Sequence, residues 1–175
     1  MSRTVLISVF CRDRPGLVAG IAGRVFELGA NLGDTTFAVL GEGAEFTAVA
    51  VLPDGVTAAD VERELAALPE AEDAKVKVRD YTLGAVHGPS GHITHRIEVT
   101  GGDRPGLIMR LAEAFGQFGA NIVRLNAETI PGTGGAQYAT RFAVWIPPER
   151  ADACLATVAN TAGELKLICR WSKAT

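Results

Sequence analysis

Asp13-Arg14-Pro15-Gly16-Leu17 returns ninety residues later as Asp103-Arg104-Pro105-Gly106-Leu107. At the same offset Gly29-Ala30-Asn31 returns as Gly119-Ala120-Asn121, and nine of the nineteen positions from Asp13 to Asn31 match their counterparts without a gap. The apolar set repeats as well: Leu17, Ile21, Val25 and Leu28 become Leu107, Leu111, Phe115 and Phe118. Steps of four, four and three residues trace one face of a helix. The chain therefore reads as two copies of one unit, expected at 1–83 and 92–175. A linker is expected over 84–91, where Gly84, Gly88, Pro89, Ser90 and Gly91 break regular structure.

Within each copy the hydrophobic period switches in the same order. Val5, Ile7 and Val9 alternate as a strand does, and so do Ile93, His95, Ile97 and Val99. Pro15 and Pro105 suit the first position of a helix, which has no use for an amide hydrogen. Gly29 suits the left-handed residue that ends one. Asn31 to Leu40 and Asn121 to Ile130 read as second strands. Ala44 to Leu52 and the alternating Tyr138, Thr140, Phe142, Val144 and Ile146 read as third strands. Thr57 is placed to cap a second helix carrying Val61, Leu65 and Leu68, and Pro147-Pro148 opens its counterpart with Ala151, Leu155 and Val158. Val76 and Val78, then Leu165, Leu167 and Cys169, close the two units. The order βαββαβ, twice, predicts an α+β chain of two ferredoxin-like units, each an antiparallel sheet with both helices on one face. The other sheet face needs a cover, from the sister copy or another chain.

Composition narrows the function. The chain has 175 residues, 47% hydrophobic and 21% charged, and a net charge of −3. That is the balance of a soluble globular protein without a basic surface for nucleic acid. No apolar run approaches the roughly 18 residues of a membrane span, and Met1 to Phe10 reads as a strand rather than a leader. Cys11, Cys154 and Cys169 are odd in number and lack metal or redox spacing, which suits the cytoplasm.

The repeated corner, where a strand turns into a helix, is the chemically interesting place. A helix N-terminus leaves about four amide hydrogens unpaired and carries roughly half a positive charge, so a small carboxylate fits there. Gly16 and Gly106 leave the backbone open to close approach. Asp13 and Asp103 can accept an ammonium, and Asn31 and Asn121 offer a donor and an acceptor in one side chain. Carboxylate and ammonium handled together describe a free amino acid. On spacing alone, the same Pro, Gly and Asn could simply make the turn.

Each copy resembles an ACT domain, the βαββαβ module that binds amino acids and regulates metabolic enzymes. The Asp-Arg-Pro-Gly-Leu block followed by Asn carries the resemblance, and it occurs twice. The resemblance implies that Asp13, Asn31, Asp103 and Asn121 touch a bound amino acid across a domain interface. Arg14, Pro15, Gly16, Leu17 and Leu32 would complete one site, and Arg104, Pro105, Gly106, Leu107 and Ile122 the other. The free-standing tandem is similar to glycine cleavage system transcriptional repressors, two-ACT proteins that act with a DNA-binding activator. It is also similar to the tandem segments attached to some phosphoserine phosphatases. It implies a non-catalytic regulator with glycine or serine as effector. The implied partner is a transcription regulator or a metabolic enzyme, with no cofactor and with homodimers possible. An interaction module without a ligand of its own is the alternative. The copies differ at Cys11-Arg12 against Gly101-Gly102, so the two sites need not fill equally. At about −1.5 kcal/mol per heavy atom, a ligand as small as glycine is capped near −7.5 kcal/mol. The expected affinity is weaker, about 0.1–1 mM, the range of a sensor.

Other chemistry is thinly represented. His87, His92 and His95 lie close in sequence without a Cys or carboxylate at ligand spacing, and read as structural or solvated. Ser90 lacks a nucleophile elbow, and no phosphate loop follows a strand. Cys11 beside Arg12 reads as a buried strand-end thiol rather than a reactive one. Arg12, Arg14, Arg104 and Arg124 either clamp a carboxylate or stand on a solvated rim. Pro69-Glu70-Ala71-Glu72-Asp73 reads as a soluble acidic turn, and Trp145 and Trp171 as core packing.

Overall fold

The computed structural model describes residues 3–102, 105–131 and 135–175. Contacts divide the chain into two compact units, the first ending at Ala85 and the second beginning at Val86. The first holds β1 (Arg3–Arg12), α1 (Leu17–Glu27), β2 (Asn31–Leu40), β3 (Gly43–Leu52), α2 (Ala58–Ala66), a 3-10 turn at Pro69–Ala71 and β4 (Lys75–Asp80). The second holds β5 (His95–Gly101), α3 (Leu107–Gln117), β6 (Asn121–Ile130), β7 (Gln137–Trp145), α4 (Ala151–Glu164) and β8 (Ile168–Lys173). Both sheets are antiparallel, ordered β2-β3-β1-β4 and β6-β7-β5-β8. This is the expected α+β, ferredoxin-like arrangement, twice. The Gly132-Thr133-Gly134 part of the hairpin expected between β6 and β7 lies outside the described residues.

Each unit has its own core on the helix side of its sheet. In the first, Val5, Ile7 and Val9 alternate inward and meet Ile21 and Val25 of α1, Val61 and Leu65 of α2, and Phe46 of β3. In the second, Ile97 and Val99 meet Leu111, Phe115, Leu155, Val158 and Phe142. Phe115 and Phe142 pack with ring centroids 5.3 Å apart. Each such side chain taken fully out of water stabilises by about 1.5–3 kcal/mol.

The repeated Gly-Ala-Asn is a helix stop followed by a strand start. Gly29 (φ 73°) and Gly119 (φ 68°) adopt the left-handed backbone. Gly29 N–H donates to Phe26 and Ala30 N–H to Val25; Gly119 donates to Gly116 and Ala120 to Phe115. Those paired bonds satisfy the last helical carbonyls. Thr57 caps α2 as expected, in a reciprocal pair with Asp60.

The helix starts differ from expectation. α1 begins at Leu17 and α3 at Leu107, not at Pro15 and Pro105. Gly16 (φ 87°) and Gly106 (φ 76°) are left-handed N-caps. A helix cannot run through such a residue, so each proline shapes the loop ahead of its helix instead. Trp171 also departs from the reading as core: it is 48% exposed and packs edge-on against the His95 ring, at 6.0 Å. β8 is an edge strand, so one flank of that ring has no neighbouring strand to cover it.

Candidate functional site

In the first unit the corner begins where β1 ends. The Asp13 amide donates to the Glu42 carbonyl at 2.9 Å, which ties the corner to the β2–β3 turn. Gly20 N–H reaches back to Gly16 at 2.8 Å. The amides of Val18 and Ala19, ahead of that bond, have no partner among the described residues, and no side chain caps the helix. Asp13, Pro15, Gly16, Val18 and Ala19 are exposed, while Leu17 is a core residue. The corner thus offers free N–H groups at a helix N-terminus, beside a carboxylate.

Arg14 is engaged elsewhere. Its guanidinium donates to the Pro69 carbonyl at 3.3 Å and to the Glu72 carboxylate and carbonyl at 3.4 Å. The acidic turn is therefore a clasp rather than a free loop: Ala71 is buried, and Glu70 lies along the first turn of α1. A Cβ at Gly20 would stand 3.2 Å from the Glu70 Oε2, so the absence of a side chain there admits the carboxylate. Sequence reasoning missed this clasp because it joins segments more than fifty residues apart with no local signal. Arg12 is exposed, 3.6 Å from Glu42. Burial pushes the Cys11 thiol up, against a smaller opposing pull from Arg14, so it stays protonated and unreactive at neutral pH.

In the second unit Gly106 N-caps α3, Arg110 N–H bonds back to it at 3.0 Å, and the amides of Ile108 and Met109 have no partner among the described residues. Asp103 and Arg104 lie outside the described residues. Pro105 and Gly106 are exposed and Leu107 is buried. Gly101 (φ 154°) has no freedom to be anything larger, since a Cβ would fall 2.4 Å from Leu167 Cδ2.

The asparagines lie at the far ends of their helices. Gly16 heads α1 and Asn31 follows its tail; the same holds for Gly106, α3 and Asn121. Eleven helical residues span about 16 Å, several times the length of a small amino acid. No unit brings its own corner to its own asparagine. Asn31 is exposed and without a partner among the described residues, whereas Asn121 donates to the Ser90 carbonyl at 2.9 Å. Leu32 and Ile122, the next residues, turn inward and pack against the cores. Both asparagines open edge strands, β2 and β6.

The histidines form no centre. Among the described residues no group of three or more His, Cys, Asp or Glu could hold a metal ion. His95 is buried, its Nδ1 3.0 Å from Thr94 Oγ1 and its Nε2 without a partner. Desolvation, and to a lesser extent Lys173, hold its pKa below the usual value, so it is neutral near pH 7. No described helix is long and apolar enough to cross a membrane.

Comparison with known proteins bears on this geometry. The ACT domain profile matches residues 3–79. A UPF0237 protein of Streptococcus mutans is 32% identical over 78 residues, which is 45% of this chain and 89% of that protein. The chain belongs to the ACT domain family. Two solved structures match along the full length. A protein of unknown function from Galdieria sulphuraria aligns with TM-score 0.77 at 19% identity, over 100% of both chains. A chain provisionally named as a glycine cleavage system transcriptional repressor aligns with TM-score 0.69 at 16% identity, over 100% of this chain and 99% of that one. At those identities the likeness shows a shared tandem ACT fold.

Proposed function

We propose that this ACT protein is a non-catalytic regulator that senses a small free amino acid, glycine or serine first. The observation that carries the reading is the exposed corner: unpaired amides of Val18 and Ala19 behind a left-handed Gly16, beside Asp13. The amides and the helix dipole would take the α-carboxylate and Asp13 the ammonium. The asparagine must come from a second module, because α1 holds Asn31 away from its own corner. Edge strands offer a route. The β2–β3 turn touches Asp13, so the corner lies at the end of β2 and Asn31 at its start. Two such edges meeting antiparallel would bring each asparagine beside the other module's corner. A ligand bound there stabilises the pairing it bridges, and that change in association is the signal to a partner.

The partner proposed is a transcription regulator or a metabolic enzyme of amino-acid metabolism; the likeness to the chain named as a glycine cleavage repressor supports the first. Calorimetry of the full chain against the twenty amino acids tests the reading. One or two small amino acids should bind at about 0.1–1 mM, and Asp13→Ala and Asn31→Ala should each weaken binding about tenfold or more. Heat from none of the twenty rejects it. A ligand-free docking module is favoured instead by Phe10 (48% exposed) and Val51 (42% exposed) on the helix-free face of the first sheet. Co-purification of a partner by the amino-acid-blind chain would select that reading.

A further inference from the structure

The helix-free face of the second sheet holds a trough of ≈ 530 Å³, lined by residues of that unit alone. Its volume lies within the roughly 300–1,000 Å³ of small-molecule sites. Its construction follows from the register. Ala143 of β7 pairs with Arg124 on one side and Arg96 on the other. In the next row Arg141 pairs with Asn126 and Glu98, and Glu98 pairs with Arg170. Strands are about 4.8 Å apart, so Arg96 and Arg124 start about 10 Å from each other across an alanine floor.

These arginines are not equivalent. Arg141 is fixed between Glu98, at 2.8 Å, and Glu128. Arg96, Arg124 and Arg170 have no acid partner among the described residues. Four arginines against two glutamates leave this face with surplus positive charge around a concave floor. A fold seeking only solubility would gain nothing by placing unpaired like charges around a hollow. A planar guanidinium with several N–H donors instead matches phosphoryl or carboxylate oxygens two at a time.

A local irregularity delivers one of the three. β6 shifts register between Ile122 and Arg124. Were β6 to run without that shift, alternation would put Val123 beside Ala143 and turn Arg124 toward the helices. The first sheet has a matching shift in β2 but not the arginines: Leu6 and Val49 stand where Arg96 and Ala143 do.

We propose that this trough binds a small dianion, a compact metabolite bearing a phosphoryl group or two carboxylates, over Ala143 between Arg96 and Arg124 with Arg170 at the flank. It lies on the sheet and uses none of the residues assigned to the amino-acid corners, so either reading can fail alone. The test is calorimetry of the full chain with inorganic phosphate, pyrophosphate and succinate, at constant ionic strength with chloride as the balancing anion. Saturable binding of at least one probe is expected, and the preferred probe tells phosphoryl from dicarboxylate recognition. Arg96→Ser and Arg124→Ser should each weaken it at least tenfold with the circular dichroism spectrum unchanged. Arg124→Lys should weaken it several-fold, because the charge stays and the fork is lost. No saturable binding to any probe, binding indifferent to both serine variants, or binding only to an oligo-glutamate peptide would each overturn the proposal.

Discussion

Leu6 and Arg96 occupy the same register position in two sheets of the same design, as do Val49 and Ala143, Ser8 and Glu98, and Phe10 and Thr100. The helix-facing positions, by contrast, are apolar in both units apart from His95 and Thr140 of the second. Duplication has therefore kept one side of each sheet and diversified the other. The kept side is held by packing, where a lost methylene is felt at once. The free side answers only to what it meets. The corners show the same division. Both have a left-handed glycine and unpartnered amides; Arg14 clasps Pro69 and Glu72 in the first, and of the two asparagines Asn121 is the one whose side chain has a partner among the described residues.

The largest expected effect tests whether the two cores are energetically separate. Phe46→Ala and Phe142→Ala should each cost about 3–5 kcal/mol. Hydrogen exchange followed by mass spectrometry should show lost protection in the mutated unit alone; loss in both would merge them into one cooperative body. Next comes Gly101→Ala, where the new Cβ collides with Leu167. A cost of about 1–3 kcal/mol is expected in chemical denaturation, whereas Cys11→Ala at the matching place of the first unit only trims a small side chain.

Smaller effects sharpen the contrast. Thr57→Ala should cost about 1 kcal/mol through the lost cap, while Arg150→Ala, at an N-cap with no side-chain bond, should cost nothing through capping. The Thr57 hydroxyl and amide, with Arg63, hold the Asp60 carboxyl down to about 2. That contribution is present above the unfolded carboxylate pKa of about 4 and is lost as pH falls through about 2. Asp60→Asn should remove this acid-range dependence from a stability–pH curve. The last effect belongs to His95. Its folded pKa lies below that of the unfolded chain, so the unfolded state binds the proton more readily. Stability of the second unit should fall as pH drops through about 6.5, and His95→Gln should flatten that slope. All three histidines lie beyond Ala85, so the first unit should show no such slope.

Much of this fold is legible in the sequence because its information is local. Gly29-Ala30-Asn31 carries a helix stop and a strand start in three letters, and the bounds of β2 and β6 follow from it. Thr57 announces its cap through Asp60 three residues on. Pro15 misleads because proline favours a helix start in general, while the glycine beside it takes a backbone angle no helix admits. The clasp over α1 and the row of arginines were not legible, since each depends on which strands lie side by side. Arg96 and Glu98 alternate visibly, but nothing near them names Ala143 as their floor. The separation of corner from asparagine could be read from the helix between them, and that length argument is the strongest reason to look for a second module.

The single extra residue in β6 has a consequence for how such proteins can change. Pleated chains display every other side chain on each side, so one inserted or deleted residue exchanges the two sets for the remainder of the strand. The shift between Ile122 and Arg124 absorbs that slip: removing Val123 would leave Arg124 beside Ala143, with Asn126 and Glu128 still outside and Leu125 and Ala127 still inside. An edge strand tolerates such a slip better than a central one, because only one neighbour must accommodate it. A one-codon loss at that spot is therefore absorbed locally, and the charged row beyond it keeps its side with the other three strands untouched.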